Sequence, residues 1–131
     1  MREIIFRGKR IGSHIWVCGH YVRAVGANGI TPIIVTEAYF KDNIQEVFDD
    51  YYCVQPETIG QYTGLRDANG NRIFEGDILF DGYNEEKCLI EFADGGFDIV
   101  EDNIRWHCQD CSMSDFEIIG NIHDDPELLE E

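Results

Sequence analysis

The sequence predicts a mainly β protein with a β-structured N-terminal part, a small barrel or rolled sheet in its second half, and at most one short helix. Short segments rich in β-branched and aromatic residues recur along the chain. Clusters containing glycine separate these segments at close spacing, which is typical of antiparallel hairpins. Rolling or closing a sheet built from such hairpins also removes exposed strand edges.

The N-terminal part alternates extended segments and turns. Its expected elements are strand 3–7, turn 12–14, extended segment 15–25, turn 26–29 and strand 31–40. Gly19 interrupts the segment 15–25, which therefore forms either two short strands or one strand bent at the glycine. Pro32 lies near the beginning of the last strand, where a strand tolerates it.

One stretch has a helical pattern. Four apolar residues fall at the spacing i, i+3, i+4 and i+7, which is one face of a helix: Ile44, Val47, Phe48 and Tyr51. The pattern predicts a short amphipathic helix within 41–52. The competing interpretation is an irregular loop that enters a strand at 51–54, since isolated helices of this length are marginal.

The second half is predicted to be a series of hairpins. Its extended segments are 57–63, 73–80, 87–92, 97–100 and 116–122, with a bend or bulge at Gly76 and Asp77. The strongest turn signal is 67–71, where Asp67 and Asn69 can bond their own backbone. Gly70 is expected there with a positive φ, because glycine has no Cβ to clash.

The chain length of 131 residues favours a single domain. A soft division is expected near residue 54, separating an N-terminal part, 1–54, from a barrel-like part, 55–131. The acidic C-terminal tail contains Leu128 and Leu129, which either dock on the body or a neighbouring subunit or belong to a frayed end.

The formal charge of −16 excludes most nucleic-acid-binding and anionic-membrane proteins, because phosphate neutralisation needs clustered cations. Arg7, Lys9 and Arg10 form the one local group of basic residues. The charge is typical of a solvated surface, and the alternative is a surface for a basic partner or for mimicry of nucleic acid. The longest apolar runs are too short to cross a membrane, and the N-terminus has no signal-peptide pattern, so a cytoplasmic protein is expected.

The segment 107–111 contains His107, Cys108 and Cys111, the only metal-like cluster in the sequence. A structural zinc site normally has four ligands in two pairs, and no second pair is present. Distant residues would have to complete the site, the candidates being Cys18, Cys53, Cys88 and His123. A redox role would need the two cysteines at a helix N-terminus. We therefore expect an inert loop, no tightly bound metal and no cofactor. With no export signal, most of the five cysteines are expected to be reduced and buried.

Adjacent carboxylates occur at 49–50, 85–86 and 124–125, as expected by chance in a chain with 26 acidic residues. Glu75 and Asp77 flank Gly76 and could bind a cation or a basic partner. The favoured interpretation is that Asp77 accepts N–H bonds from its own turn. No serine occurs in a nucleophile context and no phosphate-binding glycine loop is present, so no catalytic residue is predicted.

Three segments resemble the YopX family of small phage and prophage proteins: residues 56–78 (PETIGQYTGLRDANGNRIFEGDI), residues 1–7 (MREIIFR), and residues 116–122 (FEIIGNI) running into 126–129 (PELL). The resemblance implies a β-rich fold with an SH3-like barrel portion and an origin in a mobile element. It implies no established activity, cofactor or catalytic residue.

These observations predict a non-enzymatic phage or prophage accessory protein of the bacterial cytoplasm. We expect it to act by protein–protein contact, including self-association as a homo-oligomer. Two alternatives remain at this point. One is an acidic inhibitor that mimics nucleic acid and blocks a host DNA-binding protein. The other is an enzyme with an unrecognised site.

Overall fold

A computed structural model describes residues 4–27, 29–36, 51–102, 104–110 and 112–130. In these ranges the chain is mainly β, as the sequence predicts, with short 3-10 helices at Pro56–Thr58, Cys108–Asp110 and Pro126–Leu129. The strands are β1 (Phe6–Lys9), β2 (Trp16–Gly26), β3 (Gly29–Thr36), β4 (Tyr51–Cys53), β5 (Gly60–Arg66), β6 (Arg72–Phe74), β7 (Asp77–Asp81), β8 (Glu86–Ala93), β9 (Gly96–Glu101), β10 (Ile104–His107) and β11 (Phe116–Asn121).

The chain divides into two compact units, residues 1–61 and 62–131. In the first unit, the strands pair in the antiparallel order β4-β3-β2-β1, and the beginning of β5 adds to β1 through Gly60 and Gln61. The segment 15–25 forms one continuous strand, β2, and not two short ones. Strand β3 ends at Thr36, so residues 37–40 of the expected strand lie outside the described residues.

Aromatic side chains pack across the first unit's sheet. The ring of Phe6 on β1 lies 5.6 Å from that of Tyr21 on β2. The guanidinium of Arg7 lies 4.9 Å from the Trp16 ring and that of Arg10 lies 4.5 Å from the Tyr52 ring. These two basic side chains therefore contact aromatic rings of their own unit.

The predicted helix falls almost wholly on residues that the structure does not describe. Residues 41–50 lie outside the described ranges. Tyr51 and Tyr52, the last two residues of the predicted helical range, are in β4 and pair with β3. For these two residues the strand interpretation is correct, because their backbone bonds are made to the neighbouring strand.

The second unit contains an antiparallel sheet in the order β10-β9-β8-β7-β11, and β6 pairs with β5. Strands β10 and β11 end this order and do not pair with each other in the described sheet. The sheet is consequently rolled and not closed into a barrel. One face packs on a core formed by Ile73, Leu79, Cys88, Ile90, Phe97, Ile99, Cys108, Met113 and Phe116.

Two features of the second unit differ from the sequence prediction. The segment 73–80, in which the sequence predicts a bend or bulge at Gly76 and Asp77, is divided fully into two strands, β6 and β7, by a turn at Glu75 and Gly76. Strand β10 was not predicted, because the pattern of 104–107 is short and lies beside the cysteine-containing segment. It pairs with β9 through four residues, Ile104 opposite Glu101 and His107 opposite Asp98 among them.

The loop between β5 and β6 has the predicted conformation at Gly70, whose φ is +84°. A Cβ built on Gly70 has no atom within 4 Å, so a side chain there causes no steric clash and its cost comes from backbone strain alone. We expect Gly70→Val to lower the free energy of unfolding by about 1–2 kcal/mol, measured by urea denaturation. Gly70→Asn should cost less, because asparagine tolerates this region. Equal denaturation midpoints for Gly70→Val and the natural protein would contradict the prediction.

Candidate functional site

Two carboxyl groups are buried together at one end of the second unit's core. Asp81 ends β7 and Glu101 ends β9, with residue exposures of 3% and 7%. The Asn84 side-chain amide joins them, donating to Asp81 Oδ2 at 3.0 Å and to Glu101 Oε1 at 3.4 Å. Asp81 Oδ1 also accepts the backbone N–H groups of Tyr83 and Asn84, which fixes the β7–β8 turn.

Burial raises the pKa of Glu101 to about 7, helped by its hydrogen bond to Asp81, by the Asp81 charge and by Glu86, while Asn84 opposes the change. Glu101 Oε2 is buried and accepts no hydrogen bond from the described residues. A protonated Glu101 can instead donate to Asp81, which explains why two acidic groups are tolerated side by side. Below about pH 7 the Glu101 carboxyl is therefore mostly protonated inside the fold.

This pair makes stability depend on pH. The folded-state pKa of Glu101 lies above its ordinary value of 4.5, so unfolding releases a proton between about pH 4.5 and 7. The stabilising contribution is complete below about pH 4.5 and is lost as the pH rises through about 7. We expect Glu101→Gln to remove this slope and to raise the free energy of unfolding at pH 7.5 by roughly 1–3 kcal/mol. Glu127→Gln, at an exposed acid, should keep the slope. A natural protein whose stability rises from pH 5 to 7.5 would contradict the assignment.

A groove of about 580 Å³ lies in the same unit. We call it the acidic groove. Its lining residues are Phe80, Glu85, Glu86, Lys87, Leu89, Val100, Asp102, Leu128, Leu129 and Glu130. Glu85 and Asp102 lie in the β7–β8 and β9–β10 turns and have positive φ values, 57° and 58°. The tail thus docks on its own unit, with Leu128 half-buried and Leu129 at 38% exposure.

Asp67 connects the β5–β6 loop to the last strand. Its Oδ1 accepts the N–H groups of Asn69 at 3.0 Å and Asn71 at 2.9 Å, and its Oδ2 accepts that of Ile118 at 3.0 Å. Burial would raise the pKa of Asp67, but these three backbone donors outweigh it and hold the pKa below its ordinary value. The role is structural, since all of these bonds stabilise the ionised carboxylate within the fold.

A charge cluster lies across β8, β9 and β10. Arg105 bonds Glu91 at 2.7 Å and Asp98 at 3.2 Å, and His107 Nδ1 lies 2.8 Å from Asp98 Oδ1. Burial acts to raise the pKa of Asp98, but the bonds from Arg105 and His107 bring it below its ordinary value. The cluster is an ion-pair network on strand surfaces, which stabilises the pairing of three strands only modestly.

The two described residues of the metal-like segment, His107 and Cys108, have different surroundings. His107 ends β10 and contacts Asp98, whereas Cys108 is fully buried in the core. Cys111 lies outside the described residues. Within the described ranges, no three His, Cys, Asp or Glu side chains form a group that could hold a metal ion. The absence of tightly bound zinc stays a prediction, to be checked by elemental analysis.

Of the four described cysteines, Cys88 and Cys108 are buried, Cys18 is half-buried, and Cys53 is exposed on the short strand β4. Burial, followed by the charges of Glu101 and Asp81 and by Cys108, raises the pKa of the Cys88 thiol to about 12. Cys88 Sγ contacts the Leu79 carbonyl at 3.5 Å. A thiol in these surroundings is a poor nucleophile.

The acidic pairs of the sequence have different surroundings. Asp77 is buried and accepts the Phe74 N–H at 2.7 Å, which is the turn-stabilising role that the sequence favours. The pair 124–125 lies in the turn after β11, where Asp125 accepts the Asn121 N–H. Glu85 and Glu86 lie at the acidic groove, and the pair 49–50 lies outside the described residues.

The Asp81–Glu101 pair was missed by sequence reasoning. Twenty residues separate its members, and no pattern in the sequence reports which strand ends meet. The available signal was weak: an acidic residue follows the apolar run of β7 and another follows that of β9. Antiparallel pairing of β7 with β8 and of β8 with β9 brings the last residues of β7 and β9 to the same end of the sheet.

Comparison with known proteins decides the family. The YopX protein family model matches residues 6–130, nearly the whole chain. The chain belongs to the YopX family. A protein of known structure, EF1440 from Enterococcus faecalis, is 24% identical over 99% of this chain and 100% of its own length, with a TM-score of 0.61. That similarity shows a shared fold.

No protein of curated function matches this YopX chain. In the described part of the chain, no helix is long and apolar enough to cross a membrane.

Proposed function

We propose that this YopX protein is a non-enzymatic phage or prophage accessory protein that acts in the bacterial cytoplasm by protein–protein contact, including contact with copies of itself. The observation that supports this most is the exposed apolar surface of the β2–β3 hairpin. Val25 is 80% exposed and Ile30 is 55% exposed. Val25 and Ile30 pair directly across the two strands at the hairpin tip, so they form one apolar patch.

Burying such a patch against another apolar surface removes it from water and favours association. A second copy of the chain supplies a matching patch, which suits the two-fold symmetric contacts common in homo-oligomers. The high net negative charge opposes close approach elsewhere on the surface, so the uncharged tip is the favoured point of contact.

The position of Glu101, the carboxyl group whose pKa is raised, favours protein–protein contact over catalysis as the function. Catalytic acids and bases with displaced pKa values lie in clefts that substrate can enter. Glu101 has such a pKa, yet its side chain lies in the core with only 7% of the residue exposed. The acids that line the acidic groove are exposed: Glu85 and Asp102 lie in turns, Glu86 begins β8, and Glu130 follows the last 3-10 helix.

Light scattering tests self-association. At about 50 µM the natural protein should have a mass above 15.1 kDa. The double variant Val25→Thr, Ile30→Thr keeps β-branched side chains but removes apolar surface, and it should need at least roughly tenfold more protein to associate, equivalent to about 1.4 kcal/mol.

Tyr83→Thr is the matched control, since Tyr83 is 82% exposed in the other unit, and its association should be unchanged. A natural protein whose mass stays at 15.1 kDa at this concentration would overturn self-association. We also expect no direct binding to nucleic acid. A shift of duplex DNA in a gel at sub-micromolar protein and about 0.15 M salt would contradict this expectation.

A further inference from the structure

The acidic groove has an apolar floor. Phe80, Leu89 and Val100 belong to β7, β8 and β9, and they alternate along these strands with residues of the core. They therefore face the side of the sheet opposite the core. Leu128 and Leu129 of the tail line the groove as well. The floor is thus assembled from three neighbouring strands and the 3-10 helix at Pro126–Leu129.

The charged residues of the groove are mostly acidic. Four carboxylates and one ammonium group line it, a net charge of −3: Glu85, Glu86, Asp102 and Glu130 against Lys87. Asp81 accepts hydrogen bonds from the β7–β8 turn that carries Glu85, including one from the Asn84 side chain. The same Asn84 side chain donates to Glu101, which precedes Asp102 in the sequence. The acidic turns are consequently held in place by a partly buried hydrogen-bond network.

We propose that the acidic groove binds a basic polypeptide segment of a partner protein, one that carries large apolar side chains beside lysine or arginine. The inference rests on the proposed contact function but uses a surface in the other unit. The apolar floor would accept the apolar side chains, and the carboxylates would pair with the basic ones. A volume of about 580 Å³ accommodates only a few side chains, which suits a short linear segment.

A second copy of the chain is a poor occupant for this groove. Each copy carries a charge of −16, so the acidic groove of one repels most of the surface of another. The chain's own basic group includes Arg7 and Arg10, which lie over aromatic rings of their own unit. Charge complementarity therefore favours a basic partner.

Fluorescence anisotropy with synthetic peptides tests the proposal. The probe is a labelled peptide of about 12 residues alternating leucine and lysine, and the matched probe replaces each leucine with serine at the same charge. At about 0.15 M salt we expect the leucine-containing peptide to bind at least roughly tenfold more tightly than the serine-containing one. Equal affinity would overturn the proposal, because the protein would then be attracting any cation.

Matched variants locate the site. Glu86→Gln with Asp102→Asn should weaken binding of the leucine-containing peptide about fivefold or more, and Leu129→Ser about threefold. The control Glu57→Gln with Asp94→Asn removes the same charge from exposed residues that do not line the groove, and it should change affinity less than twofold.

An equal loss of peptide affinity in both double variants would overturn the assignment of the groove as the binding site, because the negative charge of the whole surface would then be responsible. The same holds if neither peptide binds. Failure here leaves the light-scattering result on self-association untouched, so the two proposals fail separately.

Discussion

Replacing Gly19 with alanine is expected to be the most damaging single substitution in the first unit. Gly19 lies in β2 between Phe6 of β1 and Thr36 of β3. A Cβ at this position would overlap the carbonyl oxygen of Val35 and lie 2.7 Å from its carbonyl carbon and 2.8 Å from Thr36 Cα. These are backbone atoms of the paired strand, so the sheet itself must shift. We expect a loss of roughly 3–5 kcal/mol in the free energy of unfolding.

Gly26→Ala is the matched control, because Gly26 is in the same strand and a Cβ there meets no atom within 4 Å. It should change stability by less than about 0.5 kcal/mol. Urea denaturation measures both variants, and amide hydrogen exchange shows whether protection is lost first in β2 and β3. If Gly19→Ala has the same denaturation midpoint as the natural protein, the prediction is wrong, because the two strands then move apart at little cost in free energy.

The second large effect is expected at Asp67. In Asp67→Ala, the N–H groups of Asn69, Asn71 and Ile118 all lose their acceptor. Unsatisfied donors cost about 1–3 kcal/mol each where water is excluded and less where it can enter. Since Asp67 is 6% exposed, we expect a total loss of roughly 3–4 kcal/mol, measured by urea denaturation at pH 7.

Two variants serve as controls for Asp67. Asp67→Asn keeps one carbonyl oxygen and should fall between alanine and the natural residue, and Asp115→Ala removes an exposed carboxyl and should cost little. The pH gives a further check. Because the folded-state pKa of Asp67 is lowered, its contribution is present above the ordinary value of 3.8 and is lost as the pH falls below it. A stability at pH 7 unchanged by Asp67→Ala would refute the role.

Turns and strand character were predictable because they depend on neighbouring residues. The positive φ at Gly70 and the loop bonds of Asp67 follow from one short segment. Strand β10 could not be predicted, since its four residues form a strand only because β9 offers an unpaired edge. The same dependence on a partner explains why Tyr51 is in β4 although it matches a helical spacing.

The sequence by itself determined the mainly β fold, the YopX family and the acidic surface, because composition, turn residues and a long motif are local properties of the chain. The tertiary structure decided the carboxyl pair and the groove. Asp81 and Glu101 meet only through the register of β7, β8 and β9, and burial at that edge raises the pKa of Glu101 to about 7. The acidic groove needs three strands, two turns and the tail in contact. Strand register places distant residues side by side, and it is set by the packing of the whole unit.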